Sequence, residues 1–276
     1  MNQSAPVVAG LDAPSGVFAE PFHVTDISEC DFYHTMDLPG VGLVEGEWDL
    51  RGREDKYLGG VELSGKRVLE VGPASGHLTR YMESRGADVV SCDLSYEHEW
   101  DVVPFARADV EGYTQTRQGH IRRLNNGFWF THKACGLRSK VVYSPVYNLP
   151  AAIGPVDICT FGSVLLHLRD PFLALQRALR LTRNTVVVTE AIHRNFIPTM
   201  LTQGFGRPSL VFLPRYRVRR PMDGWWIVTP RAVLAFLGTL GFEDAKISYH
   251  VQLFQKSRRL CYTVVAHRTA GTVATV

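Results

Sequence analysis

Ten residues constrain this chain more than any others: Val68-Leu69-Glu70-Val71-Gly72-Pro73-Ala74-Ser75-Gly76-His77. An apolar run closes on an acid, passes through a glycine turn and opens an amphipathic stretch that Gly86 ends. A strand that is apolar on both faces needs helices on both sides of its sheet, and that requirement points to a parallel α/β architecture. The rest of the chain keeps the alternation. Arg67–Val71, Asp88–Cys92, Lys140–Ser144, Val156–Phe161 and Thr185–Thr189 read as strands. His77–Gly86, Pro171–Leu181 and Pro230–Leu240, the last closed by Gly241, read as helices, two of them with proline at the start. Ala245–His250 and Leu260–His267 are two more strands, and the short polar link Gln255–Arg259 suits an antiparallel pair. The expected fold is a Rossmann-like, doubly wound α/β sheet of seven strands with a terminal antiparallel hairpin.

Three stretches stand outside the alternation: 21–60, 96–139 and 191–229. Residues 1–20, rich in small residues, Pro and Gly, are expected to be a loose tail. Residues 1–60 then form a tail and lid segment, and 61–276 one domain with insertions at about 96–139 and 191–229 that build an acceptor pocket. In the late insertion Arg215, Arg217, Arg219 and Arg220 alternate with Tyr216 and Val218, as on a strand with one basic face. Trp225 and Trp226 are expected to pack that insertion on the core.

Composition removes several classes. With 45% hydrophobic and 21% charged residues in 276, the chain is globular. Its five cysteines are scattered without a CxxC pair, which argues against a disulfide framework and a thiolate zinc site. His132 and Cys135 lack a second pair, so no metal is expected. No apolar run reaches the ~20 residues of a membrane helix. The first residues lack a signal-peptide pattern, so the expected location is the cytoplasm. The charge is uneven: residues 1–50 carry nine acids and no Lys or Arg, whereas the remainder holds all 30 basic residues against 18 acids. The acidic segment is expected to lie across the basic body, and nucleic acid is a partner the charge permits without favouring it.

The chemistry is read from the loop. A dinucleotide fingerprint needs GxGxxG so that backbone can approach a pyrophosphate. Here the second glycine position is Ala74, which disfavours NAD. S-adenosylmethionine (SAM) has no phosphate and needs no such cradle. Gly72 and Gly76 let the loop turn beneath it, and Glu70 could receive the methionyl ammonium directly or through water. Asp93, 21 residues beyond Gly72 and followed by Leu94, could accept both ribose hydroxyls. Asn148 could bind the adenine amino group with Val146 or Tyr147 against the ring. Phe161 ends the fourth strand, facing the crevice.

On these motifs the chain from about Arg67 to His267 resembles a class I SAM-dependent methyltransferase. More narrowly, it is similar to the tRNA wobble-uridine carboxymethyltransferase family and its methyltransferase relatives. Phe32-Tyr33-His34, Trp48 within Gly46-Glu47-Trp48-Asp49, Glu70–Gly76, Val164–Pro171 and Trp226–Pro230 carry the likeness. That family holds a carboxylated SAM partly by a lysine in the N-terminal segment and a tyrosine just before the histidine of the fourth-strand motif. Here Leu166 takes the tyrosine position and no lysine precedes Lys56, so ordinary SAM and a small-molecule acceptor are expected. The resemblance places His167 near methyl transfer as a candidate base. Glu190 and His193 are further catalytic candidates, although a cap or ion pair also explains them. Tyr33, His34, Trp48 and Arg51 are expected to form the lid over cofactor and acceptor. The expected reaction is methylation of a hydroxyl on a sugar or secondary metabolite. A tRNA-modifying methyltransferase and a catalytically silent SAM-binding protein are the alternatives.

Overall fold

A computed structural model describes residues 16–192, 207–217 and 224–270. In chain order its elements are β1 (Met36–Leu38), β2 (Gly42–Val44), β3 (Trp48–Asp49), α1 (Glu54–Tyr57), β4 (Arg67–Val71), α2 (His77–Ser84) and β5 (Asp88–Asp93). Then follow α3 (Val110–Cys135), β6 (Lys140–Tyr143), β7 (Val156–Gly162), α4 (Pro171–Leu179) and β8 (Thr182–Ala191). The last are β9 (Leu210–Phe212), β10 (Trp226–Val228), α5 (Pro230–Thr239), β11 (Asp244–Phe254) and β12 (Ser257–His267).

The main sheet runs β3-β11-β12-β8-β7-β4-β5-β6. Strands β8, β7, β4, β5 and β6 are mutually parallel, and β12 enters antiparallel between β8 and β11. The doubly wound sheet and its hairpin are as expected. The hairpin turn is only Gln255-Lys256, both at positive φ (48° and 61°), the left-handed pair of a type I′ turn. The sheet has eight strands rather than seven, because Trp48 and Asp49 pair with Phe254 and Leu253 at the outer edge. A two-residue strand is too short to show a period of two.

Side chains of β4 divide between the faces as a pleated strand requires. Leu69 and Val71 join Ala174 and Leu175 of α4 and Val233 and Leu237 of α5. Val68 joins Leu78 and Met82 of α2. Each helix begins with a side-chain cap where its sequence supplies one: Asp109 to Gly112, Asp170 to Leu173, and Thr229 to Ala232.

Four expectations need correction. The stretch 96–139 is largely α3, a 26-residue helix closed by left-handed Gly136. It is the crossover that parallel neighbours β5 and β6 demand, so it is core architecture instead of an inserted pocket wall. Residues 16–20 are not loose: Ala19 N–H donates to the Val141 carbonyl at 2.8 Å, and Val17 and Phe18 pack on the core. Arg215 is exposed ahead of a turn at Tyr216–Arg217, so those three residues form no strand; Val218, Arg219 and Arg220 lie outside the described residues. Finally, the tail and lid segment 1–60 does not lie wholly outside the sheet, since its β3 pairs with β11.

The acidic segment does meet basic partners, as at Asp31–Arg123 (2.9 Å) and Glu45–Lys256 (3.2 Å). Its path is pinned by backbone contact. A Cβ on Gly46 would lie 2.5 Å from the His34 carbonyl carbon and 2.6 Å from its nitrogen. Backbone cannot rotate away, so Gly46→Ala is expected to destabilise the protein by about 1–3 kcal/mol in urea unfolding. A midpoint unchanged from the parent would contradict this packing.

Candidate functional site

The crevice lies at the carboxyl ends of β4, β5 and β7, where an open parallel sheet binds its ligands. After β4 the loop turns through three left-handed residues: Gly72 (φ 76°), Ala74 (φ 49°) and Gly76 (φ 83°). A Cβ at Gly72 would meet Val164 Cγ2 at 2.7 Å, so glycine lets the loop approach the end of β7. Ala74 stands where a dinucleotide loop has its second glycine, in a conformation that L-residues disfavour by about 1–2 kcal/mol. Its N–H and that of Leu94, the latter at 2.8 Å, are received by the Asp93 carboxylate. These bonds tie the tip of β5 to the loop. Burial nevertheless pushes Asp93 up to about 6.

Glu70 sits behind the loop, 3% exposed. Its Oε2 accepts Thr79 Oγ at 2.5 Å and Ser91 Oγ at 3.3 Å, and burial pushes it up to about 7. Glu70 lines a cavity of about 10 Å³ together with Tyr57, Gly72 and Thr160. Glu70 therefore braces α2 against β5, and the cavity sits at the lower limit for one water.

Beyond β7 the chain passes through Ser163, another left-handed residue (φ 55°), into a 3-10 turn, Leu165–His167. Glu190 on β8 lies under that turn, 4% exposed. It accepts the backbone N–H of Leu165 at 2.8 Å and those of Val164 and Leu166, while burial pushes it up to about 8. Its carboxylate is committed to backbone, so Glu190 positions the loop that bears half-buried His167. Trp225 N–H donates to the Leu166 carbonyl at 2.7 Å and holds the same turn from the other side. Trp225 is buried, as its packing role requires, and Trp226 is half-buried. His193 lies outside the described residues.

After β6, Val146 is buried in the core and Asn148 is exposed. Tyr147 donates its hydroxyl to Asp101 and accepts the Asp170 N–H. That fixed hydroxyl leaves the ring edge-bound by the α4 cap. Phe161, 1% exposed, faces the core, so only its strand's end reaches the crevice.

The N-terminal segment meets the loop through backbone. The N–H groups of Tyr33 (3.1 Å) and His34 (3.5 Å) reach buried Ser75 Oγ. His34 stacks on His77 at 5.6 Å, and burial with the neighbouring His77 pushes it down to about 3, so it is a neutral ring. Trp48 is 6% exposed and packs on Phe254 at 4.8 Å, which removes it from any acceptor sandwich. Arg51 is exposed and bound to Asp49 and Asp37 at 2.9 and 3.1 Å. Trp48 and Arg51 thus anchor the segment; Tyr33 and His34 are the members of the expected lid that touch the loop.

Sequence reading missed Tyr57, Ser75 and Asp101. Tyr57 is buried, its hydroxyl 3.1 Å from Ser163 Oγ, and a Cβ on Gly162 would meet its ring at 3.2 Å. Burial raises its phenol well above the usual value, so it stays protonated. Asp101 receives Tyr147 and the Arg169 N–H and presents its carbonyl to Trp225 Nε1. His132 Nε2 lies 3.0 Å from the Ser139 carbonyl.

A family model described as a methyltransferase domain matches residues 52–246. A search of curated proteins finds no match. Among solved structures, the chain is similar to the N-terminal domain of EvdMO1 in the presence of SAH and D-fucose, at 18% identity and a TM-score of 0.53. That likeness covers 85% of this chain and 90% of the other. The same domain with SAH bound gives 18% identity, a TM-score of 0.52 and coverage of 86% and 90%. A Burkholderia thailandensis 1,6-didemethyltoxoflavin-N1-methyltransferase gives 16%, 0.45, and 79% and 78%. The EvdMO1 likeness shows the fold. No helix among the described residues is long and apolar enough to cross a membrane.

Proposed function

This chain belongs to the methyltransferase-domain family, and on that premise we propose that it transfers the methyl of SAM to a hydroxyl of a small molecule, a sugar or secondary metabolite. One observation carries the reading: the turn Gly72–Gly76 is clasped to Asp93 through the Ala74 N–H, with no lysine or arginine in it. An accepting carboxylate with no cation in the turn suits a ribose beside a phosphate-free chain. When bound, SAM supplies a methyl on a sulfonium that is already a good leaving group. The protein's own task is then alignment, exclusion of water and removal of the acceptor proton.

Asp93 takes the ribose hydroxyls. Gly72 lets the loop lie close to the end of β7, and Ser75 fixes the N-terminal segment over it. Glu190 beneath and Trp225 beside the Leu165–His167 turn hold His167 in place, so its imidazole serves as base at the acceptor oxygen. His167→Ala is expected to lower kcat by about 10²–10⁴-fold while leaving SAM affinity within twofold, read by steady-state kinetics and calorimetry. An unchanged kcat would make His167 structural.

Because the EvdMO1 domain was solved with D-fucose, sugars are the first acceptors to try. Radiolabelled SAM incubated with a panel of free and nucleotide-linked sugars, aglycones and bulk tRNA tests the proposal. Label recovered in a small molecule as an alkali-stable methyl ether is expected. Label confined to tRNA, or no transfer at all, would refute it.

A further inference from the structure

A groove of about 750 Å³ shares no lining residue with the cofactor loop. It exists because α1 has only four residues and covers little of the sheet. It also exists because β3 pairs with β11 at Leu253 and Phe254 alone, leaving Ser248–Val251 on the open edge. One wall is α1 with the Gly59-Gly60 turn, the other is β11 from Ser248 to Leu253, and Arg258 of β12 closes one end. Its volume falls in the range of small-molecule sites.

The charges around it are lopsided. Arg53, Lys56 and Arg258 line the groove against a single acid, Asp55. Among the described residues, neither Arg53 nor Lys56 takes part in an ion pair. On the floor lies His250, 8% exposed. Gln252 at 3.1 Å and Thr263 at 2.9 Å hold its two ring nitrogens, so it cannot swing out. Burial and the positive charge of Lys56 push it down to about 4. A fixed neutral imidazole next to Lys56 and Arg53 leaves that part of the groove electropositive, and an oxyanion is the group that completes it.

We infer that this groove is a second binding site, for a small molecule bearing a phosphate or carboxylate, which Lys56, Arg53 and Arg258 pair over the Ser248–His250 floor. The site is independent of the methyltransferase reading, so either can fail alone. His250 is its reporter: an anion in the groove offsets Lys56 and makes protonation of the ring easier.

The test follows His250 ring signals by ¹⁵N NMR, assigned with His250→Gln, while inorganic phosphate or acetate is added at constant ionic strength. A saturable shift, a rise in the His250 titration midpoint, and about tenfold weaker binding in Lys56→Ala and Arg258→Ala are expected. Tighter binding of phosphate than acetate assigns a phosphate ligand, and the reverse a carboxylate. A response that never saturates, or is equal in both variants, would overturn the site. Because both replaced side chains are exposed, matched circular dichroism separates lost binding from lost fold.

Discussion

Asp93→Ala is expected to weaken SAM binding by about 2–3 kcal/mol, or roughly 30–150-fold in Kd by calorimetry, because a charge-assisted pair of bonds to the ribose disappears. The same residue imposes a pH dependence. Burial has pushed its carboxyl up to about 6, and only the ionised form accepts both hydroxyls. Affinity should be level above that value and fall by about tenfold for each pH unit below it. Asp93→Asn should bind weakly and without that slope. Parent-like affinity in a folded Asp93→Ala protein would show that the ribose lies elsewhere.

Glu190→Ala carries the largest expected cost in stability. It leaves the N–H groups of Val164, Leu165 and Leu166 without their buried acceptor and opens a void under the turn. A loss of about 3–5 kcal/mol in urea unfolding follows, with kcat reduced because the His167 loop is no longer held. Glu190→Gln keeps an acceptor and should recover most of both. The pH profile separates the two variants further. The folded carboxyl, pushed to about 8 from 4.5, keeps a proton that the unfolded chain has released. Its contribution is therefore full below about pH 4.5 and lost as pH rises to about 8. Glu70, pushed to about 7, acts in the same direction. His34 and His250, pushed down to about 3 and about 4, act in the opposite one: the unfolded chain protonates near 6.5 where the folded one does not. Stability should thus peak in between, and Glu190→Gln should flatten only the alkaline side. An equally steep alkaline fall in the variant would assign it to other groups.

The cofactor end of the fold was legible because its signals are local. An apolar strand, a glycine turn and an acid after the next strand are adjacent in sequence, and their bounds agree with β4, α2 and β5 to within about two residues. α3 escaped notice because Gly112, Gly119 and Gly127 dilute its helical period. Gly127 is there for a long-range reason: a Cβ would come 2.3 Å from the Asp31 carbonyl. Trp48 looked like a lid residue because nothing near it in the chain says that Phe254 covers its ring. Tyr57 and Asp101 gave no signal at all. Their roles come from partners on other elements, Ser163 for one and Tyr147, Arg169 and Trp225 for the other. What spacing can show is a backbone that approaches a ligand; what it cannot show is which side chains the fold brings to that place.

Binding of SAM at the Gly72–Gly76 turn is the premise of every role proposed for Asp93 and His167. Calorimetry of the purified protein with SAM, and with NAD in parallel, tests this most directly. One SAM per chain is expected, with no heat from NAD. Saturating SAM at about 100 times Kd adds about 2.7 kcal/mol and should raise the unfolding midpoint by several degrees. Neither heat nor a raised midpoint with SAM, or tighter binding of NAD, would contradict it.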